Sequence, residues 1–222
     1  MAIFVNHKKK IFVLTSYKVG YTSLLSQEES GLNYLHYIID FPIFKNLIKH
    51  FLYKRYVIVR NPYYRFLSLF SDKFRKQPQR ILNGLHNWEN IHRCLFPYLK
   101  INPADQDKTI ACKFLDMTIS DLIKLIPLVI NDDQHFMPQT VTNQFRLFNI
   151  FPVNIRINGF FRIEDQLVEL SGLTGIDFGI KKNTSNSKQL KDKLSQKDLL
   201  VLNKLYKNDF LLGNYTMVSK FE

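Results

Sequence analysis

Two short apolar segments in the first third of the chain each end at a polar turn and lead into a helical pattern. Residues 11–15 are followed by the turn-forming residues 16–20, after which a helix is predicted to begin. Residues 56–59 form a second strand pattern, and Pro62 suits the first turn of the helix after it. Such units are typical of an α/β fold with a parallel sheet, whose ligand site lies outside the carboxyl ends of the strands. We therefore expect both loops at the same edge of one sheet.

The middle third of the chain has a helical pattern. Ser120 and Asp121 are predicted to cap a helix over residues 122–130. Pro127 must bend or shorten that helix, because proline lacks the amide hydrogen that an inner helical turn needs.

The last third predicts one strand and two helices. Residues 154–161 alternate as a strand, and residues 164–170 have the pattern of a short helix. Ser195, with Asp198 three residues later, predicts the start of a final helix. Because neither an internal repeat nor a long linker is evident, residues 1–222 are expected to form a single domain.

Composition narrows the classes of partner. The 222 residues are 45% hydrophobic, enough for a sizeable core, and carry a formal net charge of +12, which favours an anionic partner such as a nucleotide, an acidic glycan, nucleic acid or a membrane surface. Lys124 interrupts the run from residue 119 to residue 130, so a soluble chain with no transmembrane segment is expected. Cys94 and Cys112 are too few and too far apart for a disulfide framework or a zinc site, and both are expected to be free thiols.

The loop after the first strand has the features of a phosphate-binding turn. A strand that turns at a glycine and enters a helix aims several backbone N–H groups at one point, where a lysine and hydroxyls add charge and hydrogen bonds. The candidate residues here are Lys18, Val19, Gly20, Tyr21, Thr22 and Ser23. Their order is not that of a Walker A loop, which disfavours a nucleotide kinase or triphosphatase. The alternative is a surface lysine with Thr22 as a helix cap.

The loop after the second strand offers a further anion site. Arg60 leaves the end of the strand, and Ser68 lies about two helical turns further on. For both to hold one phosphate, the arginine must reach back along the helix, and Arg65 is a third possible donor. The alternative is an arginine in an ion pair and a serine on the helix surface. A polar, basic loop at residues 181–188 is another candidate anion contact.

Together these segments resemble the carbohydrate sulfotransferase family, which includes the Golgi enzymes acting on chondroitin and dermatan. The family's 5'-phosphosulfate loop typically reads Pro-Lys-x-Gly/Ala-x-Thr-Ser, matched here by Lys18, Gly20, Thr22 and Ser23. Its 3'-phosphate segment typically reads Arg-x-Pro-x-x-Arg-x-x-Ser, matched here by Arg60, Pro62, Arg65 and Ser68. Residues 71–74, 132–139, 183–185 and 205–215 resemble further family signatures in the expected order. Tyr17, Tyr21 and Asn61 depart from the usual residues.

The resemblance implies a P-loop-like, three-layer α/β fold and an activity. The donor would be 3'-phosphoadenosine 5'-phosphosulfate (PAPS), and the acceptor a hydroxyl, on a carbohydrate in this family. Lys18 would stabilise the charge on the departing 5'-phosphate, and the donor contacts would include Lys182, Asn183 and Ser185. No metal is implied, because cationic side chains suffice for this chemistry and no cluster of metal ligands is evident.

The acceptor hydroxyl also needs a general base. His135 is favoured, because it lies in the motif at residues 132–139 with Asp132 and Asp133 close enough to orient it. His36 is the second candidate, since related glycan sulfotransferases place a catalytic histidine between the donor loops. Glu28 and Glu29 stay open as further candidates.

Two other classes compete with this interpretation. A non-catalytic basic domain would bind nucleotide, nucleic acid or an anionic glycan, but no nucleic-acid motif is evident and the candidate anion sites lie at strand-to-helix loops instead of forming one basic stripe. A sulfotransferase that binds the nucleotide without turnover is the other. Because the first strand pattern starts within a dozen residues of the N-terminus, a cytoplasmic enzyme is expected.

Overall fold

The structure is a computed structural model that describes residues 2–19, 33–35, 52–84, 87–140, 144–147, 151–154, 156–175 and 194–221. Among these residues the strands are β1 (Ala2–Asn6), β2 (Ile11–Thr15), β3 (Asn33–Leu35), β4 (Lys54–Val59), β5 (Gln144–Leu147), β6 (Phe151–Asn154) and β7 (Gly159–Arg162). The α-helices are α1 (Pro62–Ser71), α2 (Gln77–Leu82), α3 (Asn90–Arg93), α4 (Asp107–Asp116), α5 (Ile119–Val129), α6 (Leu167–Thr174), α7 (Gln196–Leu205) and α8 (Lys207–Leu212). A π-helical segment, Asp72–Lys76, joins α1 to α2.

Contacts divide the chain into two compact units. The first consists of residues 1–61, 138–184 and 211–215, and the second of residues 62–137, 185–210 and 216–222. The single-domain organisation stays a prediction.

The first unit contains a mostly parallel sheet. Its order among the described strands is β3-β1-β2-β4-β7, in which β2, β4 and β7 run parallel and β1 runs antiparallel to both of its neighbours. The predicted parallel pair, β2 and β4, is therefore confirmed. Strand β1 is not predicted by the sequence pattern; the basic cluster after it forms the turn of a β1–β2 hairpin, where Lys10 has a φ of 55°.

Alternate residues of β2 face opposite sides of this sheet, and all five are buried. On one face Val13 packs in a cluster with Leu170 of α6. On the other face Leu14 packs in a cluster with Leu212 of α8 and with Tyr215. Helices thus flank the sheet, and the predicted α/β, P-loop-like class is confirmed.

The predicted strand over residues 154–161 is confirmed only from residue 159 onwards, and its start is wrong, because residue 154 ends a strand of another sheet. Phe151–Asn154 pairs with β5, whereas Gly159–Arg162 pairs with β4. Between them the Asn158 side chain accepts a hydrogen bond from the Arg55 amide at 2.8 Å, so a side chain takes the place of a strand partner. The alternating pattern spans this break because both flanking segments are strands.

The π-helical segment in the second unit has a cause in Pro78. Proline has no amide hydrogen, so Pro78 offers no donor to the Phe74 carbonyl four residues earlier, and its ring crowds that carbonyl. The helix widens by one residue before this point, and the Gln77 amide donates to Asp72 instead of Lys73.

Side chains satisfy the carbonyls that the π segment releases. His92 Nε2 donates to the Lys73 carbonyl at 2.8 Å, and Arg75 Nη1 donates to the Phe74 carbonyl at 2.6 Å. Lys73 itself forms an ion pair with Glu89 at 2.6 Å. The segment is thereby tied to α3 and to the loop before it.

Helix α5 begins earlier than predicted. Thr118 is its cap and Asp121 is the third helical residue, whose carboxylate accepts hydrogen bonds from Thr118 in return. The cap assigned to Ser120 and Asp121 is therefore wrong, because Thr118 supplies the same chemistry one half-turn earlier. The helix continues through Pro127 and ends at Val129. The cap predicted at Ser195 for α7 is confirmed, with Asp198 completing the reciprocal pair.

Candidate functional site

The register of the sheet brings two predicted loops to one edge. Thr15 at the end of β2 pairs with Ile58 of β4, and Val59 pairs with Arg162 at the end of β7. Because these strands are parallel, their carboxyl ends lie at the same edge, where ligands of α/β proteins bind. The expectation that both loops share an edge is confirmed.

The turn after β2 has an unusual backbone conformation. Lys18 has a φ of 65°, in the left-handed region that a lysine rarely adopts. The buried hydroxyl of Thr15 donates to the Val19 carbonyl and lies 3.2 Å from the Ser16 carbonyl. This hydrogen bond joins the end of β2 to the last described residue of the turn. Val19 is fully buried, which fixes the turn against the core.

Arg60 contacts this turn directly. Its Nη1 donates a hydrogen bond to the Lys18 carbonyl at 3.0 Å. The structure therefore joins the two predicted anion-binding segments, β2 to turn and β4 to helix, by a bond from a cation to main chain.

The Ser16 hydroxyl is a buried polar atom without a partner among the described residues. Ser16 is 9% exposed and directly precedes the Tyr17–Lys18 dipeptide of the turn. Buried hydroxyls are nearly always hydrogen-bonded in folded proteins, so the partner of this hydroxyl lies outside the described residues.

Gln139 fixes the backbone of Arg60. Its Oε1 accepts from the Arg60 amide at 2.8 Å, and its Nε2 donates to the Arg60 carbonyl at 2.7 Å. Gln139 is 1% exposed, so both bonds are shielded from water. The side-chain amide thus continues the hydrogen bonding of β4 one residue beyond its last paired residue.

Glu164 holds the next residue of the same loop. Its Oε1 accepts from the Asn61 amide at 2.9 Å, and its Oε2 accepts from the Tyr215 hydroxyl at 2.6 Å. Burial raises the pKa of Tyr215, and the Glu164 carboxylate raises it further. Tyr215 therefore stays protonated and donates.

Gly213 makes room for the Tyr215 ring. A Cβ at position 213 would overlap the edge of that ring. This contact accounts for the Gly-x-Tyr spacing near the end of the chain, because any larger residue would displace the tyrosine from Glu164.

Ser68 and Arg65 belong to the second unit. Ser68 is 8% exposed on α1. Arg65 is 3% exposed, and its Nη2 donates to the Met137 carbonyl at 2.8 Å and lies 3.9 Å from an Asp209 carboxylate oxygen. The guanidinium also lies 5.1 Å from the centre of the Tyr206 ring. Arg65 is thus an internal structural residue in its unit.

His135 is oriented by a neighbouring carboxylate. Asp133 Oδ1 accepts from His135 Nδ1 at 2.7 Å and from the His135 amide at 2.8 Å, while Asn90 donates to Oδ2 at 3.1 Å. Burial of the Asp133 carboxyl opposes its ionisation, but these hydrogen bonds outweigh burial and hold its pKa below the usual value. Of the two aspartates suggested as orienting groups, Asp133 makes the contact; Asp132 accepts from Asn90 through its carbonyl.

The residues after His135 are also firmly held. The Tyr206 hydroxyl donates to the Phe136 carbonyl at 2.8 Å, and Phe136 is fully buried, with its ring stacked at 6.5 Å from that of Phe74. Burial raises the pKa of Tyr206 to about 12, so its hydroxyl keeps its proton. The segment that carries His135 is therefore rigidly anchored within the second unit.

Several predicted site residues lie outside the described part of the chain. They are Gly20, Tyr21, Thr22, Ser23, Glu28, Glu29, His36, Lys182, Asn183 and Ser185. Of the others, Lys18, Val19 and Arg60 belong to the first unit, and Ser68 and His135 to the second.

Three residues at this edge receive no role from sequence patterns: Ser16, Gln139 and Glu164. Gln139 appears only as the last residue of the motif at residues 132–139. Their positions in the sequence are the feature that could have indicated a role. Ser16 directly follows a strand, Gln139 follows a proline, and Glu164 follows the strand next to β4. Polar residues in such places commonly bond to backbone groups at strand ends.

The described ranges contain neither a membrane-spanning helix nor a cluster of metal ligands. No helix in that part of the chain is long and apolar enough to cross a membrane. No group of three or more histidine, cysteine, aspartate or glutamate side chains there is arranged to hold a metal ion. Cys94 and Cys112 are free thiols, and burial raises the pKa of Cys94 to about 12.

Comparison with known proteins identifies the family. No curated protein and no solved structure matches the chain. Residues 39–216 match the sequence model of the sulfotransferase family. The matched range includes Arg60, Ser68 and His135 and starts after the Lys18 turn. Because the match spans most of the chain, and the sheet has the expected mostly parallel α/β arrangement, the protein belongs to the sulfotransferase family.

Proposed function

We propose that this sulfotransferase moves a sulfuryl group from PAPS to an acceptor hydroxyl, carried by a carbohydrate. The observation that supports the proposal most directly is the hydrogen bond from the Arg60 guanidinium to the Lys18 carbonyl at the carboxyl edge of the sheet. The resemblance assigns these two segments to the two ends of one nucleotide, the 3'-phosphate and the 5'-phosphosulfate. The bond brings these two segments together, which supports a shared donor site.

The described residues at this edge suit an anionic donor. Lys18 and Arg60 carry positive charge, and the Ser16 hydroxyl is buried without a partner among the described residues. A phosphate or sulfate oxygen would accept a hydrogen bond from that hydroxyl and remove the cost of leaving it unpaired. Net charge supports the same conclusion, because a chain of +12 attracts a highly charged anion.

Lys18 has the main chemical role in this proposal. Its ammonium group stabilises the negative charge that grows on the 5'-phosphate as the sulfuryl group departs. The resemblance assigns binding of the 5'-phosphate to one run of residues, which consists of Lys18, Val19, Gly20, Tyr21, Thr22 and Ser23. It assigns the 3'-phosphate to Arg60 and Ser68, with further contacts from Lys182, Asn183 and Ser185.

His135 is the proposed general base. Because Asp133 accepts from Nδ1, the neutral imidazole carries its proton there, and Nε2 is the basic nitrogen. A base held in one tautomer by a carboxylate is well suited to take the proton of an acceptor hydroxyl. His36 is the alternative base.

Binding of the product nucleotide, 3'-phosphoadenosine 5'-phosphate (PAP), tests the donor. PAP is expected to raise the melting temperature, and Arg60→Ala or Ser68→Ala to abolish that rise, whereas ATP, which lacks a 3'-phosphate, binds worse. Arg156→Ala is the control, since it removes an exposed positive charge before the amino end of β7 and is expected to keep the rise. The absence of any shift at millimolar PAP would refute the proposal, and preferential binding of nucleic acid would favour the non-catalytic alternative.

Transfer of labelled sulfate from PAPS to a panel of carbohydrates tests the chemistry. Lys18→Ala is expected to retain much of its PAP affinity but to lower kcat by about a hundredfold, because the lost cation acts on charge that develops during transfer. Unchanged turnover in Lys18→Ala would remove Lys18 from its role. Transfer to lipid, small alcohol or protein hydroxyls in place of carbohydrates would correct the acceptor.

A further inference from the structure

A short chain of hydrogen bonds leads from Gln139 through Arg60 to the Lys18 turn. The amide of Gln139 exchanges two bonds with the backbone of Arg60, at 2.8 and 2.7 Å. The guanidinium of Arg60 then donates to the Lys18 carbonyl at 3.0 Å. All three residues belong to the first unit, at the carboxyl edge of its sheet.

This series of hydrogen bonds ends at Lys18, whose backbone conformation is unfavourable for a lysine. A lysine with a φ of 65° is disfavoured, and neighbouring contacts must hold it. The Thr15 hydroxyl bonds the Val19 carbonyl, and Arg60 bonds the carbonyl just before it. Because a peptide bond is planar and trans, fixing the Lys18 carbonyl also fixes the direction of the Val19 amide N–H.

We propose that Arg60 and Gln139 are positioning residues for this turn: Gln139 fixes the backbone of Arg60, and Arg60 fixes the turn that holds the 5'-phosphate side of the donor. The inference rests on the proposed donor function and adds a second task for Arg60 besides the 3'-phosphate. A guanidinium carries five N–H donors, and the bond from Nη1 to the Lys18 carbonyl involves one of them.

The two tasks predict different behaviour towards nucleotides. If Arg60 served the 3'-phosphate alone, a nucleotide without that group would not depend on it. If Arg60 also shapes the turn, then 5'-AMP, which has only the 5'-phosphate, depends on Arg60 and on Gln139 as well.

The experiment measures dissociation constants of PAP and 5'-AMP by calorimetry for the full chain. Arg60→Ala and Gln139→Met are each expected to weaken 5'-AMP about tenfold, the effect of losing a hydrogen bond to a charged group, and Arg60→Ala is expected to weaken PAP still more. Unchanged 5'-AMP binding in both variants, with weakened PAP binding in Arg60→Ala, would overturn this inference and leave the donor proposal standing. A wild-type protein that binds neither nucleotide would instead overturn the donor proposal.

Matched variants separate positioning from a general loss of stability. Asn158→Ala removes a similar bond, from the Arg55 amide at 2.8 Å, at the opposite end of β4, and is expected to change both constants by less than about twofold. Gln139→Glu keeps the acceptor for the Arg60 amide but loses the donor, so its affinities should lie between those of wild type and Gln139→Met.

The Val19 amide resonance of the free protein should shift in Gln139→Met and not in Asn158→Ala. Equal weakening by Asn158→Ala would contradict the inference, and Arg60→Lys and Gln139→Glu carry the test if a harsher variant does not fold.

Discussion

His92 is another buried polar side chain that is incompletely paired among the described residues. Its Nε2 donates to the Lys73 carbonyl, while its Nδ1 has no partner in the described ranges. The rings of Phe74, Trp88 and Phe114 surround it, with centroids 5.6, 5.1 and 5.2 Å away. A neutral imidazole suits this apolar cage, and an imidazolium does not.

The state of His92 makes stability depend on pH. Burial lowers the pKa of His92 below 6.5; the nearby positive charge of Lys73 acts in the same direction, and the Lys73 carbonyl and Glu89 act against it. Just below pH 6.5 the unfolded chain therefore binds more protons than the folded chain, and the free energy of unfolding falls as the pH falls. Urea titrations between pH 8 and pH 5 should show this loss. His92→Gln, which cannot titrate, should have a flatter profile, and an identical profile would contradict the assignment.

Two helices begin with the same reciprocal cap in different surroundings. In α5, Thr118 is paired with the half-buried Asp121, whose pKa is lowered chiefly by its hydrogen bonds to Thr118. In α7, Ser195 is paired with Asp198, which is 5% exposed and also accepts from the Ser120 hydroxyl at 2.7 Å. The second cap thus also links α7 to the first turn of α5.

Removal of the Thr118 cap and removal of the Ser195 cap should lower the free energy of unfolding by different amounts. Thr118→Ala is expected to lower the free energy of unfolding by about 1 kcal/mol, the usual cost of a lost cap. Ser195→Ala should cost more, because it removes a partner from a buried carboxylate that water does not reach. Urea unfolding of both variants provides the comparison. A larger loss in Thr118→Ala would show that burial of Asp198 does not matter.

At the scale of single elements, residue patterns correctly predicted the starts of α1 and α7, which depend on interactions within one helical turn. Pro62 begins α1 and Ser195 caps α7 as expected, because a fixed φ and a side-chain cap act within one turn. The break between β6 and β7 was not predicted, since it depends on which distant strand each segment joins. Thr118 was overlooked because Ser120 and Asp121 offer similar capping chemistry.

Across the whole chain, the contacts of the site were the least predictable part. Sequence patterns placed Lys18 and Arg60 at one edge of the sheet, because parallel strands determine that edge. They did not predict that Gln139 holds the backbone of Arg60, a contact across 79 positions, because nothing near either residue specifies it. The same holds for Arg65, which matched a motif for phosphate but is buried against Asp209.

Arg65 and Asp209 illustrate how distant segments of the second unit depend on each other. Both are buried, so Asp209→Leu would leave the Arg65 guanidinium as an unpaired buried charge and is expected to cost about 3 kcal/mol. Arg65→Met combined with Asp209→Leu should cost less than the sum of the single variants, because neither charge is then left alone. Urea unfolding of the two single variants and the double variant completes the cycle, and strict additivity would show that the pair does not interact.

The bond from Arg60 ends on the main-chain oxygen of residue 18 and does not involve the lysine side chain. Every amino acid has this main-chain oxygen. A single codon change that removes the ammonium group therefore leaves an acceptor for the hydrogen bond from Arg60. Divergence at residue 18 would then separate two inherited properties, retention of the nucleotide and turnover. Under the proposed function, one mutational step at residue 18 leads from a catalyst to a nucleotide-binding protein with the same fold, and selection can act on the two properties independently.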